Sequence, residues 1–185
     1  DASIKTTATA VIGDTGGPAA DAGKDRNVRT GKHTLLDGSG SSDPGGRALT
    51  YRWTLTARPQ GSAAVIVGDR LPRPTLRPDV DGAYTLRLVV TAGGTDSQPD
   101  DVVITAFSGA VPPNADAGLR QSVRRGGQAS VDGSRSFDPD RAPQALTHRW
   151  TVLSVPPGSA VTNASLTNAT QALARFTADT AGDYQ

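Results

Sequence analysis

The sequence predicts an all-β protein of two small sandwiches in series, the second stopping short of its last strands. Three observations carry this expectation. Five blocks of residues return in the same order about a hundred positions later, a self-similarity that has to be read before any local pattern. Within the blocks, apolar and polar residues alternate with the period of two that belongs to half-buried strands. Between them lie "DGSGSSDPGG", "ARPQGS" and "DVDG", all turn chemistry, and no longer window keeps a helical period without a Gly or Pro.

The repeat runs as follows. Ala20-Asp21-Ala22-Gly23 returns as Ala115-Asp116-Ala117-Gly118, Asp37-Gly38-Ser39 as Asp132-Gly133-Ser134, and Asp43-Pro44 as Asp138-Pro139, all at an offset of 95. Leu49-Thr50-Tyr51-Arg52-Trp53-Thr54 matches Leu146-Thr147-His148-Arg149-Trp150-Thr151 at 97, and Pro59-Gln60-Gly61-Ser62 matches Pro156-Pro157-Gly158-Ser159. Asp79, Gly82 and Tyr84 match Asp179, Gly182 and Tyr184 at 100. The offset drifts only where turns are expected, because insertions are absorbed by loops and not by paired strands.

Each block reads as strand or turn. Tyr51, Trp53 and Leu55 alternate with Thr50, Arg52 and Thr54. "AYTLRLVVTA" turns Tyr84, Leu86, Leu88 and Val90 to one face, and the β-branched run "DDVVITAF" reads as the last strand of the first unit. Trp53 and Trp150, at strand centres with no cysteine pair to pack on, are expected to bury against aliphatic side chains of the facing sheet.

Composition narrows the function. Lys and Arg number 19 against 18 acidic residues, a formal net charge of +1, and the basic residues are scattered. That pattern makes neither a nucleic-acid stripe nor a membrane-surface patch. The chain has no Cys, which excludes a disulfide framework, a cysteine zinc site and a thiol nucleophile. Gly and Pro together make about 18% of the residues, above the usual share yet short of a low-complexity chain. No apolar run approaches the length of a membrane-spanning helix. His33 and His148 stand at unrelated places in the two units with no Ser/His/Asp order around them, and "GDTGG" is followed by no lysine and is no phosphate loop. No catalytic residue is expected.

The order "ADAG", "LDGSGSSDP", "LTYRW" and "DGAYTLRLVVT" resembles the PKD (polycystic kidney disease) repeat, an immunoglobulin-like β-sandwich, and especially its PKD/chitinase-type and K319L-like varieties of bacterial surface and secreted proteins. The resemblance covers residues 18–106 in full and 112–185 in part. Two departures accompany it. The family's frequent "WxFGDG" is absent after both tryptophans, and its "DPDG" turn reads Asp43-Pro44-Gly45-Gly46 in one unit and Asp138-Pro139-Asp140-Arg141 in the other.

The resemblance implies a fold of tandem immunoglobulin-like sandwiches. Residues 1–17 read as the strand and linker ending a preceding repeat, 18–107 as the first domain, 108–113 as a linker, and 114–185 as a second domain lacking its last two strands. It makes Trp53, Trp150, Tyr84, Tyr184, Asp37, Asp43 and Asp132 structural, with each tyrosine hydroxyl capping a loop. It also raises calcium as a cofactor: in the second unit Asp138 and Asp140 offer two carboxylates near Asn114 and Asp116, and calcium takes six to eight oxygen ligands.

The function implied is a non-enzymatic extracellular structural or adhesion module, a spacer stalk or surface-assembly unit whose partners are neighbouring repeats or subunits. Two alternatives stand beside it. One is an accessory polysaccharide- or protein-binding module of a secreted hydrolase; the other is a self-assembling subunit completed by strand donation from a neighbour. No nucleic-acid partner and no direct membrane insertion is expected.

Overall fold

The computed structural model describes residues 16–140 and 145–185. The strand expected over residues 1–12 lies outside them. The chain divides into two compact units between Pro112 and Pro113.

Among the described residues the first unit holds eight strands: β1 (Arg26–Arg29), β2 (Thr34–Leu35), β3 (Leu49–Ala57), β4 (Ile66–Val67), β5 (Thr75–Leu76), β6 (Gly82–Ala92), β7 (Thr95–Asp96) and β8 (Asp100–Phe107). They form two sheets. One has the order β1-β8-β6-β3, with β7 added to β6; the other is β2-β5-β4. The β1–β8 pair is parallel and the remaining pairs are antiparallel.

The alternation of the sequence decides which atoms meet between the sheets. Along β6, Tyr84, Leu86, Leu88 and Val90 are fully buried, and from β8 Val102, Ile104 and Ala106 join them. Leu36, next to β2, and Leu76 on β5 close the same core from the facing sheet, and Trp53 joins it from β3 of the larger sheet. Removing one such aliphatic side chain from water is worth about 1.5–3 kcal/mol, so this contiguous cluster holds the two sheets together. The opposite face of the larger sheet is polar and carries ion pairs from Arg87 to Asp101 and from Arg52 to Asp96.

The chain leaves this unit through an anchored segment. Val111 is 3% exposed, and Asn27 on β1 donates its side-chain amide to the carbonyl of Pro112.

The second unit forms β9 (Gln128–Asp132) antiparallel to β10 (Leu173–Thr177), with a 3-10 turn over Asn163–Ser165. Two isolated bridges, Asn114 with Phe137 and Thr167 with Arg175, complete its sheet pairing among the described residues. The strand expected around Trp150 pairs into no ladder. In the first unit β3 bonds along β6 and Ala57 lies opposite Thr85. The equivalent rung is present in the second unit, with the Gln185 N–H donating to the Ser154 carbonyl and the Ser154 N–H to the Gln185 carbonyl.

Candidate functional site

The polar groups that the repeat preserves are the turn carboxylates, and each acts on the backbone near it. Asp37 accepts the N–H of Ser39 at 3.0 Å and its hydroxyl at 2.6 Å; Asp132 accepts the N–H of Ser134 at 2.8 Å. Asp21 and Asp116 accept the N–H of Gly23 and Gly118 at 2.9 and 2.8 Å. These are Asx turns, for which the short aspartate side chain has the right reach. The Ser39 bonds, aided by Arg73, hold the Asp37 carboxyl down at about 2, and the Ser134 bonds lower that of Asp132.

Asp43 has a different partner. Arg47, four residues on, bonds both of its oxygens through Nε and a terminal nitrogen, and the Arg47 N–H adds a third bond. Those bonds lower the Asp43 carboxyl to about 2. In the second unit Asp138 accepts the N–H of Asp140 at 2.9 Å.

The residues raised for calcium do come to one neighbourhood. Asn114 and Phe137 exchange backbone hydrogen bonds, and the Asp116 N–H donates to the Ser136 hydroxyl at 3.0 Å, which sets the entry segment beside the turn carrying Asp138 and Asp140. Among the described residues, no group of three or more His, Cys, Asp or Glu side chains is positioned to hold a metal ion. Asp116 and Asp138 each commit one oxygen to a backbone N–H.

A second repeated device sits at the opposite turn. The Tyr84 hydroxyl accepts the N–H groups of Asp79 and Val80 and shares its proton between the Val80 carbonyl at 2.8 Å and Asp79 Oδ1 at 3.1 Å. Asp79 in turn accepts the Ser62 hydroxyl at 2.5 Å and the Ala63 N–H at 2.7 Å. The second unit repeats it: Tyr184 bonds Thr180 and Asp179, and Asp179 accepts the Ser159 hydroxyl at 2.6 Å and the Ala160 N–H at 2.7 Å. The serine bonds foremost, with the backbone and tyrosine bonds, bring both aspartates to about 2. Glycine is required between them. Gly82 has φ of 126° and Gly182 of 136°, and a Cβ there would come within 2.9 Å of Pro59 and 2.5 Å of Pro156.

The serines of this clamp are absent from the expected site residues. Their signal is in the repeat itself, because Ser62 and Ser159 each close a block that recurs at 97.

The two tryptophans make the same bonds in different surroundings. Trp53 is 2% exposed, its N–H donating to the Asp69 carbonyl and its indole N–H to that of Leu71 at 3.2 Å. The Trp150 N–H donates to Ala169 and its indole N–H to Gln171 at 3.0 Å. Trp150, expected in a core, is only half-buried.

Every one of these arrangements holds a turn or packs a sheet. The serine hydroxyls that meet carboxylates, Ser62 with Asp79 and Ser159 with Asp179, do so inside these turns, and neither histidine joins them. The fold and its capped corners define an immunoglobulin-like structural module. Residues 22–106 match the family described as the K319L-like PKD domain, and that stretch of the chain is a domain of this kind. PKD-type domains are as a class non-catalytic structural or adhesion modules, typically extracellular. No helix among the described residues is long and apolar enough to cross a membrane.

Among solved structures, the PKD domain from KIAA 1837 protein is 28% identical, with 54% of this chain and 96% of that one covered at a TM-score of 0.41. A nucleoside hydrolase-related hypothetical protein from Saccharophagus degradans is 22% identical, covering 49% of this chain at a TM-score of 0.43. The present chain spans about a quarter of that protein's length. The D00-D0 domain of intimin is 15% identical over 90% of this chain and 89% of its own, with a TM-score of 0.39. Nothing among curated proteins matches the chain. None of these likenesses bears on what the chain does.

Proposed function

We propose that the chain is a spacer: PKD-like sandwiches in tandem, forming part of a stalk or surface array outside the cell, in a bacterium. Its work is to set distance and limit bending. The observation that carries this reading is the anchored exit at Val111 and Pro112, where Asn27 fixes the last carbonyl of the first unit and Pro113 follows at once. A proline-rich connection loses little conformational freedom and resists bending. The duplicated Asp, Ser and Tyr clamp supports the same reading, since it fixes the same turn in each unit.

NMR relaxation of backbone amides in the whole chain tests it. A spacer requires the two units to tumble together, and Asn27→Ala should release them toward separate tumbling. Correlation times already equal to those of independent units would overturn the reading. Retention of the chain on chitin, cellulose or collagen would instead favour the accessory polymer-binding module.

A further inference from the structure

The outer face of the β2-β5-β4 sheet is apolar where a solvated surface would be polar. The alternation along these strands turns Thr34, Leu36 and Leu76 inward and leaves Leu35, Val65 and Val67 outward at 56%, 64% and 66% exposure. Register makes them neighbours: Leu35 lies opposite Thr75, and Thr75 opposite Val67. Val65, Val67 and Thr75 line, with His33 and Arg77, an open concavity of about 430 Å³, and Leu35 stands beside it opposite Thr75.

The second unit acts as an internal control. Its β9–β10 register sets Ser130 opposite Arg175, where the first unit sets Leu35 opposite Thr75. The Ala160 N–H bonds Asp179 as the Ala63 N–H bonds Asp79, which aligns Thr162 with Val65 and Ala164 with Val67. The same surface is therefore built there from Ser130, Thr162, Ala164 and, in place of Arg77, Thr177. The fold does not need exposed aliphatic side chains at these places, and a clustered apolar patch on one unit calls for a partner.

Charge says what kind of partner. Arg77 donates its Nε to the Gly31 carbonyl at 3.0 Å, and its terminal nitrogens have no protein partner among the described residues. Arg58 stands at the rim, bonded to the Ala64 carbonyl. The concavity's own carboxylate, Asp79, has both oxygens engaged by Ser62, Ala63 and Tyr84 and does not pair with Arg77. Apolar residues beside an uncompensated guanidinium suit an aliphatic segment bearing a carboxylate, which arginine binds through two parallel hydrogen bonds.

We infer that this face docks an acidic, aliphatic peptide segment of another protein, with Arg77 taking a carboxylate and Leu35, Val65 and Val67 taking its apolar side chains. The inference goes beyond the spacer reading and does not rest on it.

Fluorescence anisotropy with a labelled peptide of alternating valine and aspartate, against a counterpart with lysine for aspartate, tests it on the whole chain. The acidic peptide should bind, more weakly as salt rises. Arg77→Gln should weaken it about tenfold, the scale of one lost charge-assisted hydrogen bond. Val65→Thr with Val67→Ala, the residues the second unit carries, should weaken it similarly. Equal binding of the two peptides, no binding of the acidic one at millimolar concentration, or unchanged binding by the variants would overturn the inference. If the double variant fails to fold, the exposed Arg77→Gln substitution decides alone. Self-association in sedimentation velocity that the same substitutions abolish would assign the face to a second copy of the chain and overturn the acidic peptide.

Discussion

The phenol oxygen of Tyr84 lies 3.1 Å from Oδ1 of Asp79, and that of Tyr184 lies 2.8 Å from Oδ1 of Asp179. The same corner is thus built twice from residues five apart in sequence. Tyr84→Phe keeps the ring in the core and removes only the hydroxyl. The part-buried N–H groups of Asp79 and Val80 then lose their acceptor, which costs about 1 kcal/mol, the net scale of a hydrogen bond. Denaturant unfolding should show that loss, and Tyr84→Leu should lose more through ring packing. A phenylalanine variant as stable as the parent would deny the corner its role.

The clamp also dictates a pH dependence. Asp79 and Asp179 sit at about 2 in the fold against an ordinary value of 3.8. A depressed folded value means that the unfolded chain binds the proton more readily, so the stabilisation is complete above about pH 4 and drains away as pH falls toward 2. Thermal melts across that window should fall steeply for the parent. Asp79→Asn should be less stable at pH 7 and show a flatter acid limb. An acid limb that keeps its slope in Asp79→Asn with Asp179→Asn would place the titration elsewhere.

Much of this architecture is legible because local chemistry and burial agree. The alternation of Tyr84, Leu86, Leu88 and Val90 is enough to place them in a core, and the Gly-, Pro- and Asp-rich stretches fall in turns as expected. What is not legible depends on contacts distant in sequence. Trp53 and Trp150 stand in near-identical blocks, yet one is enclosed by β6 and β8 and the other is half-buried. The Ser62 hydroxyl reaches Asp79 across 17 residues. Every acidic residue of the chain is an aspartate, which fits a chain that uses carboxylates to cap turns at short reach.

The contrast between the tryptophans yields its own expectation. Trp53→Phe removes part of a fully enclosed ring and leaves the Leu71 carbonyl without its donor, whereas Trp150→Phe alters a half-buried one. The first should cost about 2–4 kcal/mol, near the lower end of large-to-small core changes, and the second about half as much. Chemical denaturation followed by the backbone amide NMR signals of the mutated unit separates the two. Equal losses would mean that Trp150 is as enclosed in solution as Trp53.

Gly38 adds a steric test of the same core. A Cβ at this position would lie 2.9 Å from both Leu88 Cδ2 and Trp53 Cζ2, and its N–H donates to the Pro72 carbonyl. Gly38→Ala must push the indole or the β6 leucine off its seat, an overpacking of about 1–3 kcal/mol. In the second unit a Cβ on Gly133 would meet Trp150 and His148 at 3.2 Å, room enough for a half-buried ring to give way. Gly133→Ala should therefore cost clearly less. Differential scanning calorimetry of the two variants reads this directly, and a Gly133→Ala loss equal to that of Gly38→Ala would contradict the looser packing around Trp150.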